Sequence, residues 1–117
     1  MDHSQRVIAL AQNSKFDEIR SFLRQQPLVD MEETAKSLTA QMQEASKAAD
    51  ALRTQQKDAL RQSGFAEERG DKDAEQRFAE RADTLDEEIK QASIYALRIS
   101  SASLYAVDTW KAAEKDA

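Results

Sequence analysis

The sequence is poor in the residues that make turns, disulfides and metal sites. Its 117 residues include two glycines, one proline, one histidine and no cysteine. So few turn residues do not suit the many tight turns of a β-sandwich or a β-barrel. Without cysteine the chain can form neither a disulfide nor a thiolate site, which agrees with a reducing compartment. These absences favour a small number of long helices.

The sequence also lacks a basic excess and a long apolar run. Its 17 Lys and Arg residues are outnumbered by 22 Asp and Glu residues, for a formal net charge of −5. This balance disfavours nucleic acid and anionic membrane surfaces as partners. The N-terminal apolar run covers only residues 7–11, so we expect no secretory signal, and residues 94–110 are too short and polar to span a bilayer. We therefore expect a cytoplasmic protein, with non-classical export left open.

The residues that are abundant are good helix formers, namely Ala, Gln, Glu, Arg and Lys. Two short helices are predicted in residues 1–30, the first at 4–12 and the second at 15–26. Ser14 is expected to cap the second helix by accepting a hydrogen bond from the amide of Asp17. Pro27 is expected to end that helix, because its ring cannot be accommodated in a helix interior.

Two long helices are predicted to follow, over residues 31–69 and 71–115. Asp30 gives the start signal of the first, and Gly70 followed by Asp71 is typical of a left-handed glycine and then an N-cap. Gly64 is the other candidate for the break. Each long helix carries apolar residues at alternating steps of three and four, the spacing of a heptad seam. The two seams are Leu28, Met31, Ala35, Leu38, Met42, Ala45, Ala49, Leu52, Gln56, Ala59 and Phe78, Ala82, Leu85, Ile89, Ala92, Ala96, Ile99, Ser103, Ala106, Trp110, Ala113.

Past residue 93 a second apolar stripe opens beside the last seam, and two adjacent stripes need at least two neighbouring helices to cover them. This stripe comprises Ile94, Leu97, Ser101, Leu104 and Val107. A turn at Gly70 brings Met31 near Trp110 and so places the short helices over the stripe. The side chains expected to cover the stripe are Phe16, Ile19, Phe22 and Leu23. The predicted fold is a single all-α domain over residues 1–117. In it, two short N-terminal helices pack on the base of a long antiparallel helical hairpin, forming a four-helix head with a projecting coiled-coil arm.

Residues that could carry chemistry are scarce. His3 is expected to be an exposed terminal histidine, and the acids at residues 71–75 lack the later ligands of a calcium loop. Most carboxylates have a basic neighbour one helical turn away, which is ordinary surface pairing. Asp108, at the edge of the apolar stretch, is the exception and defines a distant alternative, a small helical enzyme with a carboxylate site. We predict no catalytic residue, no metal and no cofactor.

In outline the chain resembles the WXG family of small helical hairpins exported by specialised secretion systems, over residues 31–117. It has Ser63-Gly64-Phe65 where that family carries Trp-X-Gly at its turn, and only Trp110 and Glu114 correspond to the family's C-terminal aromatic-then-acid signal. The likeness is one of architecture, and fold alone does not define function.

A seam so rich in alanine buries little apolar area, which indicates that a partner covers part of it. The sequence therefore predicts a non-enzymatic protein–protein interaction module, of the adaptor, chaperone or inhibitor type, which binds through its helical hairpin. The partner is another protein or a second copy of the chain. A structural or exported hairpin that acts by self-assembly is the alternative. The predicted contact residues are Leu38, Met42, Leu52, Phe65, Phe78 and Leu85.

Overall fold

The computed structural model of the protein describes residues 1–117, and all of its regular structure is helical. The four helices are α1 (Ser4–Gln12), α2 (Phe16–Arg24), α3 (Leu28–Glu68) and α4 (Lys72–Asp116). The long helices α3 and α4 pack against each other as a hairpin, preceded by the two short ones. This confirms the predicted all-α hairpin. None of the four helices combines the length and the apolar composition that a membrane span requires.

The hairpin turns at Gly70, as the sequence predicts. Helix α3 continues through Gly64 without a break, whereas Gly70 has a φ of 73°, a left-handed conformation that costs glycine little. Directly after it, Asp71 caps α4 by accepting a hydrogen bond of 3.1 Å from the amide of Ala74. The capping carboxylate and the left-handed glycine together fix where α3 ends and α4 begins.

Two predicted helix starts are wrong. Helix α3 begins at Leu28, directly after Pro27, and Asp30 therefore lies within its first turn rather than before it. Helix α2 has no side-chain cap, and Ser14 lies in the left-handed region with a φ of 57°. A capping serine has extended backbone angles, so this conformation turns the Ser14 hydroxyl away from the amides of α2. The hydroxyl instead accepts a hydrogen bond of 2.8 Å from Arg98.

The chain forms two compact units, and the first comprises Met1–Ala45 and Tyr95–Ala117. All four helices contribute to its core. Of the four α2 side chains expected to cover the stripe, Ile19 and Leu23 are fully buried, and Phe16 and Phe22 are partly buried against the core. The buried apolar residues of this core are Val7, Ile8, Ala11, Ile19, Leu23, Ala35, Leu38, Ala45, Ile99, Ala102 and Ala106.

The second unit, Ser46–Ile94, has a much smaller core. Ala59, Ala82 and Leu85 are buried there, and Leu52 packs against them. The seam glutamine Gln56 is satisfied by donating a hydrogen bond of 3.1 Å to the carbonyl of Ala82. A core made mainly of alanine is what the heptad pattern of this region predicts.

Candidate protein-binding surface

The six residues predicted to contact a partner differ widely in exposure. Leu38 and Leu85 are fully buried inside the chain. Met42, Leu52 and Phe78 are partly buried, and Phe65 is exposed. Contact between a partner and Leu38 or Leu85 would require the hairpin to open, so their proposed role stays a prediction. Phe65 is the only member of the set that already faces solvent.

In the first unit, helices α1 and α2 cover one side of the α3–α4 pair. Just before α1, the backbone N–H of His3 donates a hydrogen bond of 2.9 Å to the hydroxyl of Thr34 in α3. At α4, the ring of Phe16 stacks on Tyr105 with 5.5 Å between centroids. Ala102 and Ala106, on the same side of α4 as Tyr105, are fully buried. This side of α4 is therefore occupied within the chain.

The other side of α4 in the first unit remains uncovered. Leu97 is 67% exposed and Leu104 is 62% exposed, although each is large and apolar. Ser100 and Val107, half-buried, continue the same row at steps of three and four residues, which places all four on one side of the helix. We call Leu97, Ser100, Leu104 and Val107 the open face.

The open face corrects the predicted placement of the short helices. They were expected to cover the stripe that contains Leu97 and Leu104, but they cover the opposite side of the seam, at Arg98, Ala102 and Tyr105. Arg98 and Tyr105 explain the choice, because Arg98 bonds to Ser14 and Tyr105 stacks on Phe16 while Arg20 lies 4.7 Å above its ring. Polar and aromatic contacts thus direct the short helices to the less apolar side.

A depression lies at the C-terminal end of the open face. It has a volume of about 160 Å³ and is lined by Ala35, Lys36, Thr39, Val107 and Trp110. The indole Nε1 of Trp110 is buried and has no hydrogen-bond partner. This donor is the one buried side-chain polar atom in the chain that remains unsatisfied.

Two ammonium groups lie beside the Trp110 ring. The Nζ atom of Lys111 is 4.2 Å from the ring centroid, and that of Lys36 is 6.0 Å away. Lys36 donates a hydrogen bond of 2.8 Å to Glu32, which raises the pKa of Lys36 above its usual value, with a smaller contribution from the charge of Glu114. Lys111 has no carboxylate within ion-pair distance. The Trp110 ring therefore lies near one lysine that is paired with a carboxylate and one that is not.

The N-terminus is held in place, and the expectation of a freely exposed His3 is wrong. Its ring Nε2 lies 3.1 Å from Asp30, and its ring meets Phe22 edge-on at 5.4 Å. Asp30 also accepts a hydrogen bond of 2.8 Å from the Met1 ammonium. The bonds from Met1 and then from His3 lower the pKa of Asp30, because they stabilise its charged form.

A carboxylate borders the open face, because Asp108 follows Leu104 by one helical turn. Asp108 is exposed, so nothing around its carboxylate excludes water. In the second unit, Arg53 donates hydrogen bonds to Asp50 and Ser93, each at 2.8 Å. No group of three or more His, Cys, Asp or Glu side chains is placed to hold a metal ion.

Comparison of the chain with known protein families, with curated proteins and with solved structures finds no match. The fold and the surface together define the protein as a helical hairpin with one apolar side left uncovered. The sequence did carry a signal for that side, because Leu97, Ser100, Leu104 and Val107 alternate in threes and fours. Nothing in the sequence indicated the unsatisfied indole of Trp110, which depends on the exact packing around it.

Proposed function

We propose that the protein is a non-enzymatic protein–protein interaction module, of the adaptor, chaperone or inhibitor type, which binds its partner on the open face of the hairpin. The observation that carries the proposal is the exposure of Leu97 and Leu104, one heptad apart on the same side of α4. Single exposed leucines are common on soluble proteins, but an aligned pair beside an apolar depression is typical of a docking surface.

The free energy of apolar burial favours the same surface. Burying a fully exposed leucine side chain contributes about 1.5–3 kcal/mol, and Leu97 and Leu104 are each about two thirds exposed, so covering both would supply about 2–4 kcal/mol of binding free energy. No such gain is available on the opposite side of α4, where Ala102, Ala106 and Tyr105 already pack against other parts of the chain. The open face is therefore where a partner would gain most in the first unit.

The proposal is tested by comparing variants in affinity purification from the native cell, with quantitative mass spectrometry. The double variant Leu97→Asp/Leu104→Asp is expected to lose the specific partner, because it places two charges on the face. Leu60→Asp is the matched control, since Leu60 is a leucine that is 55% exposed and belongs to the second unit, whereas the open face belongs to the first. It should retain the partner.

Three results bear on the alternatives. Retention of all partners by the double variant would place binding elsewhere and contradict the proposal. Light scattering that gives twice the chain mass for the wild type, and the single mass for Leu97→Asp/Leu104→Asp, would favour the self-assembly alternative. Loss of the partner by Leu60→Asp alone would move the binding surface to the second unit.

A further inference from the structure

We draw no further inference here: the strongest candidate, the open face of α4 with the depression at its Trp110 end, belongs to the surface already described, and nothing in the structure shows what covers it.

Discussion

At the residue scale, exposure separates leucines that hold the fold from leucines that are available to a partner. Leu38 is fully buried among α1, α2 and α4 residues in the first unit, whereas Leu97, also in the first unit, has most of its surface in water. The heptad pattern marks both as apolar helix residues and does not distinguish their roles. The difference arises from which side of α4 the two short helices cover.

Replacing these two leucines with alanine should have opposite consequences for stability. Leu38→Ala is expected to lower the free energy of unfolding by about 2–5 kcal/mol, because it leaves a cavity in a packed core. Leu97→Ala should change it by less than about 0.5 kcal/mol, since the removed atoms already face solvent. Urea unfolding followed by circular dichroism measures both values, and equal effects would contradict the assigned burial.

The cluster around Asp30 predicts a pH dependence with a definite sign. Its pKa in the folded chain lies below the ordinary 3.8, so its ionised form stabilises the fold. This stabilisation is fully present above pH 3.8 and is lost as the pH falls through the lowered pKa. In acid titrations followed by circular dichroism, Asp30→Asn should be less stable than the wild type at neutral pH. The free energies of unfolding of the two proteins should converge below pH 3.8. A difference that stays constant down to the lowest pH would contradict the assignment.

The sequence correctly predicted the roles of residues that depend on their own backbone conformation or on near neighbours in the chain. It mispredicted residues whose partners are distant in the sequence. Gly70 and Asp71 were predictable because the turn needs a left-handed residue and a capping carboxylate in succession. Ser14 and His3 were mispredicted because their partners, Arg98 and Asp30, are far away in the sequence. The surroundings of Trp110 could not be predicted for the same reason, because they include residues of α3 that are distant in the sequence.

At the element scale, the two glycines explain the lengths of the long helices, because one continues α3 and the other forms the turn between α3 and α4. Gly64 lies inside α3 with nothing within 4 Å of the place where a Cβ atom would lie, and Gly70 has the left-handed conformation of the turn. The helical pattern correctly allowed α3 to pass through Gly64. The start of α3 was misplaced because Pro27 serves as a helix-start signal that takes precedence over Asp30.

Alanine at the two glycines should therefore shift stability in opposite directions. Gly64→Ala is expected to stabilise the chain by about 0.5–1 kcal/mol, because alanine loses less entropy in a helix and meets no neighbour. Gly70→Ala should destabilise it by about 1–2 kcal/mol, since a Cβ atom is unfavourable at positive φ. Thermal unfolding of both variants checks the pair, and a stabilised Gly70→Ala would mean that the turn lies elsewhere.

At the scale of the whole molecule, the two compact units differ in how much apolar material they bury. The first unit has a core with several fully buried aliphatic residues, and the second relies on Leu85 and small alanines. The sequence predicted this thin seam from its alanine content. It predicted the wrong side of α4 for α1 and α2, because the apolar pattern favoured the stripe of Leu97 and Leu104 and gave no sign of the contacts that Arg98 and Tyr105 make with Ser14 and Phe16.

Hydrogen exchange should follow the sizes of the two cores. Amides in residues 46–94 are expected to exchange faster than those in helices α3 and α4 of the first unit, because a small core resists local opening less. Leu85→Asp should accelerate exchange in residues 46–94 further, since it buries a charge without a partner. Mass spectrometry of exchanged peptides resolves the two regions, and equal protection in both would contradict the assigned cores.

The central claim is that a partner covers the open face, and crosslinking in the intact native cell tests it most directly. A photo-crosslinking amino acid at Ser100, between Leu97 and Leu104, is predicted to give one dominant adduct with another protein, and the same group at Leu60 is predicted to give none. An adduct of twice the chain mass would identify a second copy as the occupant. Abundant, specific crosslinking from position 60 with none from position 100 would contradict the account.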